Sequence, residues 1–573
     1  MMVASPPSES ACARAGAGAW PLAVKGSSAV ESPPEITTSW RRPGMPNTEQ
    51  TVVLLCSDVS EVGPSPISAA AIAAALRRGA PQARIFIVEN LCSGPAAVSA
   101  TLQTLEARRV AIGCRQGATR REEILAHLRR ARIHPSGVQL VDLMPAEQSV
   151  PAVVGEQSIA RMRAALARLS CADLEGPVSE RMAPGSVEVS RRSAFRLGNV
   201  ARRPVACFTE GRCDGGGCCR ACVEACPHGA LHLTGVRLSV DGAACTGCGA
   251  CLSVCGSGAI SLNGSSISEL EAAASVLVAE ARQLGSCSAG GVAIVCARAV
   301  AEVPLGGSWL PLEVPSLEMV SAGWPLQVLS AGVGVKLVGC DDDACASRGR
   351  ELSRFCADLV DHAAPAWRPL IGQPERSEPL YPSRSAGIPA GAPASIKLRE
   401  PEATARVLSA LVSLPSDYLT RTERWRIESP AASLGEITID GGGCSACGCC
   451  TLACPTGALK AAHREGVLAF SVDASACSAC GACVSSCPEA VVTLRRVVDS
   501  VSFAEGRRRI AEVGVGACCE SCGRPLASGL AGGVVGLRLA TSHPQIAARL
   551  RDEGRCTDCL LMARRPVRTK PTA

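Results

Sequence analysis

Short β-branched apolar runs alternate along the chain with stretches of helical spacing, and many of the runs end on a cysteine. Thr51 to Leu55 runs into Cys56, and Ile67 to Arg78 follows as a helix. A second strand, Arg84 to Val88, leads toward Cys92-Ser93-Gly94. Ala97 to Ala107 reads as helix, Val110 to Gly113 as a third strand running into Cys114, and Arg120 to Ala131 as helix. That alternation predicts a small parallel α/β domain over 50–168. The same pattern returns at 288–362. Val292 to Val295 ends at Cys296, Trp309 to Val314 is a second strand, and Val335 to Val338 runs into Gly339-Cys340, with helical spacing from Arg348 to Val360. Cysteine at the end of the first strand and Gly-Cys at the end of the third, in both units, is what a duplication would leave, although any two parallel α/β units look alike.

Between and around these units the pattern breaks. Residues 1–49 are rich in Ala, Pro and Ser and read as a disordered tail, with no basic segment and apolar stretch of the kind that opens a signal peptide. A Pro-, Ser- and Arg-containing linker is expected over 169–204. A second linker covers 365–433, with eight Pro in 365–401 and a helix from Glu402 to Leu414. The windows 205–264 and 436–498 and the tail segment 510–565 are set apart by their cysteines.

Composition sharpens this picture. The chain has 573 residues, 47% of them hydrophobic, yet only six Trp, six Phe and two Tyr, so the packed layers should be thin and built from Ala, Val and Leu. Of its 34 Cys, 19 fall between Cys207 and Cys255 or between Cys444 and Cys487. Clustering of that kind points to metal or cluster sites and away from a disulfide scaffold. No apolar run approaches the ~18 residues of a membrane span, the longest being the ten from Ile67 to Leu76. A soluble, cytoplasmic protein is expected. The net charge of +6 is mild. The arginines at 191, 192, 196, 202 and 203 have no aromatic residues interleaved, so nucleic-acid binding is not expected.

The strongest motif lies in the later window. Cys444-x-x-Cys447-x-x-Cys450-x-x-x-Cys454-Pro455 is followed by Cys477-x-x-Cys480-x-x-Cys483-x-x-x-Cys487-Pro488. Three thiolates from one tight loop grip three irons of a cubane, and the fourth, turned away by the following Pro, serves the neighbouring cluster. One set is then Cys444, Cys447, Cys450 and Cys487, the other Cys477, Cys480, Cys483 and Cys454, with Cys449 left over. This window resembles the two-cluster 4Fe–4S ferredoxins in all eight ligands. The resemblance implies two adjacent low-potential cubanes in a ferredoxin-like dicluster module.

The earlier window is similar to the same family and departs from it. Cys245, Cys248, Cys251 and Cys255 form a complete run, with Gly256 in place of the usual Pro. Cys219, Cys222 and Cys226-Pro227 supply three of the other four. The first ligand is missing at Gly216, and either Cys213 or Cys218 could replace it. Cys213 is favoured, because the side chain of Cys218 adjoins that of Cys219 and neighbours rarely reach one iron. The alternative is a three-iron or absent cluster there. Four 4Fe–4S clusters are expected in all.

The α/β units carry weaker resemblances. The unit with Cys56, Cys92 and Cys114 resembles the N-terminal domain of the flavin-carrying component of heterodisulfide reductase, but Ser57 and Asp58 stand where that domain has a further Cys. The unit with Cys296, Cys340 and Cys345 is similar to the small iron–sulfur subunit of methyl-viologen-reducing hydrogenase, with Ser316 at one cysteine position. An additional cluster in either unit would need a fourth ligand from elsewhere. The alternative is that these are small buried thiols at strand ends. At the C-terminus, Cys519-x-x-Cys522 and Cys556-x-x-Cys559 suit a tetrahedral zinc in a zinc-ribbon-like cap, or a further cluster, with Cys518 spare.

No G-x-G-x-x-G joins a strand to a helix and no P-loop occurs, so no flavin, nicotinamide or nucleotide site is visible. No catalytic residue is assigned, the seven His being scattered. The fold expected is therefore multidomain α/β plus α+β, two dicluster modules alternating with two parallel α/β domains and ending in the four-cysteine cap. Its expected role is an iron–sulfur electron-transfer subunit of a heterodisulfide-reductase-like or hydrogenase-linked complex, with redox proteins as partners and no membrane span. The alternatives are a free polyferredoxin, an iron–sulfur sensor or scaffold, and dithiol chemistry at Cys56, Cys92 or Cys114.

Overall fold

Thr51–Cys56, β-branched or apolar throughout, is buried along its whole length, as a strand covered on both faces must be. It forms the middle of a parallel sheet, with Arg84–Val88 on one side and Arg109–Cys114 then Val138–Asp142 on the other. The helix Ala69–Gly79 crosses over it, capped by the Ser68 side chain, which accepts from the Ala70 N–H. The computed structural model describes residues 51–57, 68–89, 107–114, 133–143, 151–174, 180–182, 202–209, 220–234, 237–255, 258–262, 265–288, 291–299, 309–363, 396–399, 402–412, 425–464, 467–514, 517–518 and 525–526, with single residues 91, 102, 124, 125, 128 and 213. The helices expected over 97–107 and 120–131 thus lie almost wholly outside the described residues.

Two elements of this first unit were not expected: the strand Val138–Asp142 and the helix Pro151–Ser170. The helix shows no one-sided apolar stripe because it is covered on more than one side, burying Gln157, Ser158 and Arg168 along with Ala160, Met162, Ala165 and Leu169. It packs on the first sheet and on the helix Ile267–Ser288. The second unit places Gly291–Cys296 between Trp309–Val314 and Val335–Val338, all parallel. Its strand order, second–first–third, matches the first three strands of the earlier unit.

Arginines from Pro151–Ser170 tie the two sheets together. Half-buried Arg161 donates to the Asp142 carbonyl at 3.2 Å and to the Trp309 carbonyl at 3.3 Å, bridging the edge strand of one sheet to that of the other. Arg168 donates to the Glu313 carbonyl at 3.2 Å and to Ser265 Oγ at 3.0 Å.

Both cysteine windows share one plan. In the earlier, Cys207–Phe208 pairs antiparallel with Ile260–Ser261, Leu231–Thr234 pairs with Arg237–Val240, and the short helices are Ala221–Glu224 and Ala250–Val254. In the later, Gly435–Ile439 pairs with Val492–Asp499, Leu459–Arg464 pairs with Val467–Asp473, and the helices are Cys449–Leu452 and Ala482–Ser485. The earlier window shares one hydrophobic core with the second α/β unit, whereas the later has a core of its own.

The stretches read as linkers contribute ordered pieces. Glu180–Met182 pairs with Arg202–Pro204. At the end of the Pro-rich stretch the Leu398 carbonyl accepts from Nε1 of fully buried Trp324 at 2.6 Å, and the helix Glu402–Val412 packs on Gly323–Ser330. Arg507–Gly514, at the start of the segment read as a cap, instead extends the hairpin of the later window by pairing with Val467–Asp473. Ala517–Cys518 pairs with Pro525–Leu526.

Glu269, 2% exposed in the first turn of Ile267–Ser288, faces Arg168 with 4.0 Å between Oε2 and Nε. Burial outweighs the arginine and pushes the carboxyl up to about 7. Its proton is held more tightly in the folded than in the unfolded chain. The associated stability is therefore complete below about 4.5 and is lost as pH rises through about 7. Thermal unfolding followed from pH 5 to pH 8 should show a smaller decline for Glu269→Gln than for the parent.

Candidate metal centres

Three cysteine loops repeat one backbone conformation. In Cys245 to Cys251, Gly247 and Gly249 have φ of 71° and 83°; in Cys444 to Cys450, Ala446 and Gly448 have 55° and 73°; in Cys477 to Cys483, Ala479 and Gly481 have 49° and 77°. Two left-handed residues, one before and one after the middle cysteine, curl each loop so that its thiols converge. For alanine this conformation costs roughly 1–2 kcal/mol, and it recurs at the same place in two loops. Each loop is also preceded, four residues before its first cysteine, by an aspartate that caps the entry turn. Asp241 Oδ1 accepts from Ala243 N–H at 2.7 Å, Asp440 Oδ1 from Gly442 at 3.0 Å, and Asp473 Oδ1 from Ser475 at 3.1 Å.

The fourth cysteine of every run opens an identical turn. The residue three positions on donates its N–H to the cysteine carbonyl, Gly229 to Cys226, Gly258 to Cys255, Gly457 to Cys454 and Ala490 to Cys487, at 3.1–3.3 Å. All four donors are left-handed, with φ of 58°, 63°, 64° and 55°. The bond from Gly258 to Cys255 matches the other three, although no Pro follows Cys255 in the sequence. Neither these turn residues nor the three aspartates were read from the sequence, although both recur at fixed offsets from the cysteines and so were visible in it.

The electrostatic neighbourhoods sort the later window into two groups. Cys450 interacts with Cys444, Cys447 and Cys487, and Cys477 with Cys480, Cys483 and Cys454. The fourth cysteine of each run thus sits with the first three of the other run. Cys450 also interacts with Cys483, which places the two groups side by side. Burial pushes the thiols of Cys450 and Cys477 up to about 12 and that of Cys483 to about 11. Backbone N–H groups compensate in part: Ala446 donates to Cys444 Sγ at 3.4 Å and Leu459 to Cys454 Sγ at 3.5 Å. Cys449 is half-buried in the helix that follows the first loop.

In the earlier window Cys251 lies among Cys248, Cys222, Cys245 and Cys226, and burial pushes its thiol well up. Cys248 rises to about 12, chiefly by burial. Ala230 donates to Cys226 Sγ at 3.3 Å. Cys255 and Cys213 are half-buried, while Cys218 and Cys219 lie outside the described residues. A carboxylate from the second α/β unit reaches this group. Glu318 hydrogen-bonds toward Cys248 and stands 3.3 Å from His228 Nε2.

Elsewhere, Cys56 and Cys114 are fully buried at the carboxyl ends of adjacent strands, and Cys92 lies outside the described residues. Cys296, Cys340 and Cys345 converge, their sulfurs all within 4.8 Å of one another. Cys519, Cys522, Cys556 and Cys559 lie outside the described residues.

Two stretches, 238–261 and 470–493, match the 4Fe–4S binding domain family. Each holds a complete four-cysteine run with its capping aspartate and closing turn. No curated protein matches the chain. The donor chemistry agrees, since grouped thiols in loops of this shape suit 4Fe–4S clusters and an iron–sulfur electron-transfer role. Among the described residues no helix is long and apolar enough to cross a membrane.

Two outcomes follow from the loop geometry and the buried thiols. Ala479→Gly and Ala490→Gly should each raise stability by about 0.5–1 kcal/mol in thermal unfolding under argon, with iron content unchanged, because glycine relieves the left-handed strain. Iron displaces thiol protons, so reassembly on the apo-protein should become more complete as pH rises from about 7 to about 9, followed by the growth of visible absorption.

Proposed function

We propose that the chain is an electron-transfer subunit holding four 4Fe–4S clusters, two in each cysteine window. It would relay single electrons between redox proteins in a heterodisulfide-reductase-like or hydrogenase-linked complex. The observation that supports this reading is the neighbourhood of the later window's thiols, with Cys487 near Cys444 and Cys450, and Cys454 near Cys477 and Cys483. Cys444, Cys447, Cys450 and Cys487 would hold one cluster and Cys477, Cys480, Cys483 and Cys454 the next. Cys245, Cys248, Cys251 and Cys226 would hold a third. Cys219, Cys222 and Cys255, with Cys213, would hold the fourth. When bound, each cubane takes up and returns one electron at a potential set by its surroundings.

The protein's own residues give these sites different characters. Arg496 is within electrostatic reach of Cys480 and Cys477, whereas Glu489 is within reach of Cys444. A positive neighbour favours the electron-rich state and a negative one opposes it, so within the later window the side near Arg496 is the better electron acceptor. Access differs too. Cys447 is exposed, and Leu452, at the end of the short helix that follows it, is 77% exposed, whereas every described cysteine of the earlier window is buried or half-buried. The later window is the natural docking end for a partner, and the earlier one is the inner end. The C-terminal cysteines would close the chain around a zinc.

Metal analysis on anaerobically purified protein tests this reading. About sixteen irons and as many acid-labile sulfides per chain are expected, four per cubane. Cys454→Ser and Cys480→Ser should each remove about four irons, and the double variant no more than either alone. Cys454→Ser with Cys447→Ser should remove about eight. The reverse pattern would contradict the exchange of ligands, and near-zero iron in the parent would end the electron-transfer reading.

A further inference from the structure

The second α/β unit gathers thiols that neither cysteine window uses. Cys296 ends the central strand Gly291–Cys296, Cys340 follows the strand Val335–Val338, and Cys345 sits in the first turn of the helix Asp343–Ala363. Parallel strands deliver side chains to the carboxyl edge of the sheet, where the next helix begins, so three separate segments meet at one point. Cys296 and Cys345 are fully buried, and Cys340 is 9% exposed at the rim.

The surroundings are built for sulfur carrying negative charge. Leu317 N–H donates to Cys345 Sγ at 3.5 Å, and the fully buried Ser316 hydroxyl hydrogen-bonds to the same sulfur. Arg298 hydrogen-bonds to Cys296 and is held in place by Asp342 at 3.2 Å. Ser316 Oγ accepts from the Glu318 N–H at 3.3 Å and lies 3.2 Å from Glu318 Oε1, and Glu318 is the residue that reaches Cys248 of the earlier window. The triad therefore anchors the turn that carries this carboxylate.

Spacing decides what the triad can hold. Sulfurs at about 2.3 Å from one tetrahedral ion stand about 3.8 Å apart. Sulfurs that cap different irons of a cluster must stand wider, because each follows its own iron. The three sulfurs here all lie within 4.8 Å of one another, and among the described residues no three thiols of either cysteine window come so close. The resemblance to a hydrogenase iron–sulfur subunit implies a cluster at this place, and the residues present do not fit one.

We infer that Cys296, Cys340 and Cys345 bind a single thiophilic divalent ion of the zinc class, with the Ser316 hydroxyl on the fourth side. Three thiolates around such an ion carry a net negative charge, which Arg298 offsets. The ion joins two strand ends to a helix start and so fixes the Ser316–Glu318 turn against the earlier window.

The test is zinc and iron per full-length chain, purified anaerobically, for the parent, Cys296→Ser and Cys340→Ser. Each variant is expected to lose one metal ion, zinc or a lone iron, while the remaining iron stays at the parental value and reports that the chain is folded. If Cys296→Ser loses iron from the whole chain by misfolding, Cys340→Ser, at the rim, decides. A loss of two or more irons confined to the variant site would mean a cluster and would overturn the inference. Unchanged zinc and iron in a folded variant would overturn it equally.

Discussion

Thiols buried at fixed spacing are the constraint on which the rest of this structure depends. Burial holds Cys450 and Cys477 protonated up to about 12 in the absence of metal, so the loops are poor places for thiolates until a positive iron–sulfur core is present. The backbone meets that requirement with two left-handed residues per loop, an aspartate cap before it and a left-handed turn after the fourth cysteine. Alanine occupies left-handed positions at 446, 479 and 490, where the thiols must converge whatever the side chain costs. Each short helix and hairpin then follows from where those loops enter and leave.

The α/β units serve the cysteine windows in a different way. The earlier window shares a core with the second sheet, and Pro151–Ser170 binds that sheet to the first through Arg161 and Arg168. Its Cys248 consequently lies within reach of Glu318 from the neighbouring unit. The later window stands on its own core and carries its own third strand, Arg507–Gly514, with Cys447 toward solvent. One chain thus carries two groups built on the same plan, one sharing its core with a neighbouring unit and one with a cysteine toward solvent.

Much of this was legible in the sequence where chemistry dictates spacing. The eight-cysteine pattern of the later window and the runs ending at Cys56, Cys114 and Cys296 stand out because ligand geometry and strand period leave fixed marks. Pro151–Ser170 did not stand out, since a helix covered on several sides buries Gln157, Ser158 and Arg168 and loses its apolar stripe. Val138–Asp142 is short, and Arg507–Gly514 begins with three arginines that mask its strand period. The capping aspartates and the left-handed turn residues repeat beside the cysteines but carry meaning only once the loop conformation is known. The closeness of Cys296, Cys340 and Cys345 depends on segments far apart in the chain, and no local pattern encodes it.

The central claim is that neighbouring runs exchange their fourth cysteine and so hold two clusters side by side. Low-temperature electron paramagnetic resonance of the dithionite-reduced protein tests it most directly. Paired clusters predict a broadened, split spectrum that integrates to several spins per chain and simplifies to a single unsplit signal on partial reduction. A fully reduced spectrum containing only sharp, magnetically isolated signals would contradict the account.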